Sequence, residues 1–201
     1  MLRTAPNPTR VVPAPDAVDA YLVTLAETLD GLCRADIWAA VDLLIATAET
    51  GRRIYLVGNG GSAATASHMA NDLNKQATVP GAPLFRAIAL TDNVPLITAW
   101  SNDTDYAEAF AMQLANHVEA GDLVVAISTS GNSPNVLRAV DLARGAGARV
   151  IGLTGDSGGA LADRADLCLY VPSPSIGQQE DVHLVLNHVI TTAIRARLGA
   201  P

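Results

Sequence analysis

A chain of 201 residues, 49% hydrophobic and only 4% aromatic, has the length of one domain and a core built mainly from Ala, Val, Leu and Ile. Its net charge of −7 offers neither the basic stripe of a nucleic-acid binder nor the polybasic contact of a membrane-surface protein. No run of about 18 uncharged apolar residues is present to span a bilayer. An anionic ligand is not excluded, because backbone N–H groups at a helix start bind phosphate without Lys or Arg.

In chain order, Arg3 and Arg10 stand among four prolines with no apolar stretch between them. Residues 1–14 are therefore expected to be a flexible arm and not a secretory leader. Residues 16–31 repeat Val18, Tyr21, Leu22, Leu25 and Leu29 at helical spacing, which predicts an amphipathic helix. A second helix is predicted over 35–50, with Ile37, Val41, Leu44 and Ile45 inward. Residues 53–57 form an apolar run ended by Gly58, the pattern of a buried parallel strand, and a helix is predicted from Ser62 to about Lys75.

The alternation then repeats. Strands are predicted over 87–90, 123–127, 149–153 and 167–171, and helices over 94–101, 105–118, 133–146, 158–163 and 178–198. Continuous apolar strands alternating with helices predict a three-layer αβα domain over residues 15–198, with a five-stranded parallel sheet of flavodoxin-like or Rossmann-like type and an N-terminal helical extension. Cys33 and Cys168 fit no metal or redox spacing and read as buried, reduced thiols of a cytoplasmic protein.

Parallel sheets bind ligands beyond the carboxyl ends of their strands, where two segments carry unusual chemistry. Gly58-Asn59-Gly60-Gly61-Ser62 joins a strand to a helix. Its glycines allow close backbone approach, and Ser62 is expected to cap a helix start that favours an anion. Gly58, Gly60 and Ala63 also satisfy a G-x-G-x-x-A dinucleotide pattern. That reading needs an acidic residue about 20 residues on, and residues 76–84 contain none, with Asp92 too far along. The second segment, Ser128-Thr129-Ser130-Gly131-Asn132-Ser133, follows the clearest strand. Four hydroxyls before a helix make a neutral cradle for phosphate, where a plain capped turn needs one.

Ionisable residues flank these loops. His68 and Asp72 lie four apart on one helix face, and Glu180, His183 and His188 lie on the last helix, leaving His117 as a surface residue. Imidazole and carboxylate at this spacing can bind a divalent metal such as zinc.

GNGGS followed by STSGNS at strand ends resembles the SIS (sugar isomerase) domain family of phosphosugar isomerases and phosphosugar-binding regulators. The order of elements is similar over nearly the whole chain after about residue 15, and Gly155 to Gly159 stand where that family has a G-x-x-G-G turn. The phosphoheptose isomerases are the branch most similar in pattern. The resemblance implies phosphate binding by Ser128, Thr129, Ser130 and Ser133. It implies sugar contacts from Asn59, Gly60, Gly61, Ser62, Asn102, Asp103 and Glu180. It also implies a zinc site of His68, Asp72, Glu180 and His188, with Asp72 as base and His188 as partnering acid/base. Asp72 replaces the Glu of that branch and Glu180 its Gln, and Gln179 is the alternative equivalent of that Gln.

Residues 180 and 188 lie about 12 Å apart along a helix, too far for one ion to take both from one chain, so the resemblance implies a homotetramer with the last helix of a neighbour completing the site. The implied reaction is isomerisation of sedoheptulose 7-phosphate to a heptose 7-phosphate through an enediol(ate). The same chemistry permits a heptulose-phosphate epimerase. A non-catalytic SIS regulator would keep the serine loop without needing the acids and histidines.

Overall fold

The computed structural model describes residues 15–199, so the arm expected over residues 1–14 lies outside the described residues. Two helices, α1 (Pro15–Asp30) and α2 (Arg34–Glu49), precede the first strand, β1 (Arg53–Gly58). There follow α3 (Gly61–Asn71), β2 (Arg86–Ala89), α4 (Val94–Asp103), α5 (Ala111–Ala115), β3 (Leu123–Ser128), α6 (Pro134–Gly145), β4 (Arg149–Thr154), α7 (Gly159–Ala162), β5 (Leu167–Tyr170) and α8 (Ile176–Arg197). All strands pair in parallel in the order β2-β1-β3-β4-β5. This is the flavodoxin-like order, and its topological switch point lies between β1 and β3.

Each strand feeds both faces of the sheet, because its side chains alternate. Ile54 and Leu56 join a core with α2, α3 and α8, whereas Tyr55 and Val57 join one with α5 and α6. This double burial explains the apolar runs of β1, β3 and β4, whereas the edge strand β2 buries Ala87 and Ala89 and exposes Ile88. No helix among the described residues is long and apolar enough to cross a membrane.

Three local expectations are corrected. The helix expected over 62–75 is α-helical only to Asn71, after which residues Asp72–Gln76 form a π turn in which Ala77 N donates to Asp72 O at 2.8 Å. The helix expected over 105–118 splits into a 3-10 turn at Tyr106–Glu108 and the short α5. The Asp105 side chain accepts from Ala107 N at 2.7 Å and caps the start of the first piece. Finally, the cysteines are not buried as expected: Cys33 is exposed and Cys168 partly so.

The amphipathic stripe of α1 is only half used. Leu25 and Leu29 pack on the core, while Val18 and Leu22 are 57% and 58% exposed. Tyr21 is tied to α8 through its hydroxyl, which donates to Asp181 at 2.6 Å.

Candidate active site

The two Gly/Ser-rich loops leave the carboxyl ends of β1 and β3, which are adjacent in the sheet. They are stitched together by reciprocal amides: Asn59 Nδ2 donates to Asn135 Oδ1 at 2.8 Å, and Asn135 Nδ2 to Asn59 Oδ1 at 2.7 Å. Tyr106 adds a third bond, its hydroxyl donating to Asn59 Oδ1 at 2.8 Å. Asn135 is buried two residues past the serine loop, and neither it nor Tyr106 belongs to the expected set. A polar side chain just inside a helix, next to a ligand loop, is the one signal that marks Asn135.

In the first loop Gly60, with φ +54°, starts α3, and Ser62 is buried in the first turn without capping it, against expectation. The helix begins one residue early because glycine tolerates the entry geometry. Gly61 faces α8: a Cβ there would lie 2.6 Å from Glu180 Oε1. The Glu180 carboxylate therefore rests on the N-terminus of α3, where the helix dipole favours negative charge. Gln179 points elsewhere. It is buried, donating to Ser173 O at 2.7 Å.

The serine loop is braced from beneath. Gly155 N donates to Thr129 O at 2.9 Å and Leu161 N to Gly131 O at 2.9 Å. Asn132 Oδ1 accepts from Ala160 N at 2.9 Å, and Ser130 Oγ accepts from Asn132 N at 3.2 Å. Ser128 and Ser133 hydroxyls stand 3.1 Å apart across the mouth of the loop. Asn102 and Asp103 bond to each other at 2.8 Å at the exposed end of α4, and no hydrogen bond among the described residues joins them to either loop.

Farther along α3, three donors converge. His68 Nε2 lies 3.4 Å and His188 Nε2 3.7 Å from Asp72 Oδ2, with 3.3 Å between the two Nε2 atoms. Asp72 is 2% exposed, whereas both imidazoles are open to solvent. Two imidazole lone pairs and a carboxylate oxygen facing one point repel unless a proton or a cation lies among them. The spacing fits a metal, because ligands 2.0–2.1 Å from a tetrahedral zinc stand about 3.3 Å from one another. This group can hold a metal ion.

Within the single chain the expected set divides. His188 comes from the same chain as His68 and Asp72, so no neighbouring helix is needed to form the group. Glu180, two turns earlier on α8, does not join it, since its carboxylate is at Gly61. α8 runs beside α3, so Glu180 meets the start of α3 and His188 its end.

His183 has a structural place. It is fully buried, with Nε2 3.2 Å from Thr154 O, and burial pushes its pKa down to about 4 from the ordinary 6.5. The folded chain thus keeps this imidazole neutral while the unfolded chain takes up a proton below pH 6.5. Stability is unaffected by this group above pH 6.5 and falls as pH drops from 6.5 toward 4, by about 3 kcal/mol in all. His183→Gln keeps an N–H for Thr154 O but does not titrate. Urea denaturation across this range should show a shallower acid loss in the variant, and equal slopes would refute the assignment.

This fold, with paired loops at the switch point and a histidine-carboxylate group beside them, defines a SIS-domain protein, and the SIS domain profile matches residues 19–155. The phosphoheptose isomerase of Rhodospirillum rubrum is 40% identical over 177 residues, 87% of this chain and 94% of that one. That of Mycobacterium bovis is 44% identical over 160 residues, 80% and 81% of the two chains. The structure of phosphoheptose isomerase from Neisseria gonorrhoeae superposes with a TM-score of 0.83 at 31% identity, covering 90% of this chain and 98% of that one. Within the SIS family, the chain belongs to the phosphoheptose isomerases.

Proposed function

We propose that this chain isomerises sedoheptulose 7-phosphate to a heptose 7-phosphate through an enediol(ate). The observation that carries the reading is the meeting of His188, on α8, with His68 and Asp72 at the far end of α3, the helix whose start is the Gly60–Ser62 turn. His68 follows Ser62 by six residues, about 9 Å of helix. That offset suits a seven-carbon ligand with its phosphate at one end and its reacting carbons at the other.

In this reading the hydroxyls of Ser128, Thr129, Ser130 and Ser133 hold the phosphate at the start of their helix, and Gly60, Gly61 and Ser62 line the sugar. Asn59 braces the two loops, Glu180 faces the sugar hydroxyls, and Asn102 and Asp103 approach from the rim. Asp72 takes the proton from the carbon next to the carbonyl, and His188 exchanges a proton with the neighbouring oxygen. A divalent cation, zinc by its donor set, would be held by His68, Asp72 and His188 and would polarise the sugar oxygens.

The protein works in the cytoplasm as a homotetramer in this proposal. Exposed Val18 and Leu22 on α1, and Trp38 and Val189 flanking His188, supply apolar surface for such contacts. The test is incubation with sedoheptulose 7-phosphate in deuterated water, followed by NMR. Deuterium at the carbons beside the carbonyl and new aldose signals are expected; neither, with or without zinc, would end the proposal.

A further inference from the structure

The carboxylate beneath the histidine pair is gripped from behind by two amides. Asn187 Nδ2 donates to Asp72 Oδ2 at 2.8 Å, and Asn71 Nδ2 donates to Oδ1 at 3.1 Å. Oδ2 is the same oxygen that faces His68 and His188. Asn71 is exposed, but Asn187 is fully buried.

The setting of Asn187 on α8 is unusual. That helix buries two stripes side by side, each with a repeat of four: apolar Val182, Leu186, Ile190 and Ile194, and polar Gln179, His183, Asn187 and Thr191. Asn187 Oδ1 has no hydrogen-bond partner among the described residues. A buried amide with an idle acceptor is a worse packing element than the leucine one position earlier, since its polar atom has left water for nothing in return. Packing alone does not explain the residue, and its one bond goes to the reacting group.

We propose that Asn187 is a positioning residue that fixes the rotation of the Asp72 carboxylate, so that Oδ2 points between His68 and His188. Being adjacent to His188, it also sets α8 against α3 at the level where the two imidazoles meet. The proposal rests on the metal-supported isomerase reading above. An aspartate hangs from the backbone by one methylene, so the aim of its oxygens depends directly on what holds them. Hydrogen-bond partners of ligating carboxylates typically change metal affinity or activity by about 10–100-fold when removed.

The test uses the full chain carrying Asn187→Leu or Asn187→Ala. Each variant is stripped of metal and titrated with zinc against a chromophoric chelator, then assayed with sedoheptulose 7-phosphate. Zinc affinity and kcat are each expected to fall about 10–100-fold. KM should stay near that of the parent, because the phosphate loops do not touch Asn187. The Ala variant needs no added room and serves if Leu does not fit. Asn71→Ala, which reaches only Oδ1, should give a smaller loss of zinc affinity. Unchanged zinc affinity and kcat in a folded Asn187 variant overturn the proposal. So does loss of the cooperative melt in both, which would mark Asn187 as merely structural. A parent chain that neither binds zinc nor turns over the sugar fails the functional reading itself, whereas a competent parent with unaffected variants fails only this inference.

Discussion

Asp72→Asn is expected to lower kcat for sedoheptulose 7-phosphate by about 10²–10⁴-fold, the usual contribution of a positioned general base, with little change in the fold. Asp72 is buried at the junction of α3 and the π turn, and the substitution keeps its size. The new amide oxygen can still accept from Asn187, whose Nδ2 now bonds Oδ2 at 2.8 Å. Asn71 is exposed and free to turn away. What is lost is the negative charge that attracts a proton or a cation between the imidazoles. Initial rates by NMR, together with a thermal melt, separate loss of chemistry from loss of structure. A rate within tenfold of the parent would move the base elsewhere and remove the central role given to this group.

Gly131→Ala is expected to lose both stability and ligand binding. Gly131 sits at φ +63°, and a Cβ there would be driven into the carbonyl of Gly158. Backbone, not a pliable side chain, is in the way. Strain in the left-handed region alone costs about 1–3 kcal/mol, and relief of the clash must push the serine loop off the turn that braces it. The bonds from Gly155 N to Thr129 O and from Leu161 N to Gly131 O would weaken together. For a chain of this length each kcal/mol is worth about 2–4 °C, so a drop of roughly 5–10 °C in Tm is anticipated. KM for the phosphorylated sugar should rise more than kcat falls, because His68, Asp72 and His188 stand on α3 and α8. A parent-like KM would show that the hydroxyls of this loop do not hold the phosphate.

Much of this architecture was legible in the sequence because it is local. Residues 54–57 and 123–127 are apolar on both strand faces, so their burial between two helical layers follows from composition. The loops after them were recognisable because three glycines in five residues, or four hydroxyls in six, have no simpler use. His68 and Asp72 were visible through their spacing of four. By contrast, Asn59 and Asn135 are 76 residues apart and Asn187 and Asp72 are 115 apart, so neither pair leaves a periodic mark. The π turn after Asn71 is equally silent, since it changes the winding of a helix without changing its pattern of apolar residues. The placing of residues 180 and 188 depends on how α8 packs, which spacing within one helix does not reveal. Once α8 lies alongside α3, residues 180 and 188 address opposite ends of the same partner.

The SIS profile stops at residue 155, and α8 begins only at Ile176. The loops after β1 and β3 thus fall inside the matched stretch, whereas α8, which brings His188 to His68 and Asp72, lies beyond it. A change confined to α8 would leave the sequence of both loops intact while taking Glu180 from Gly61 and His188 from Asp72.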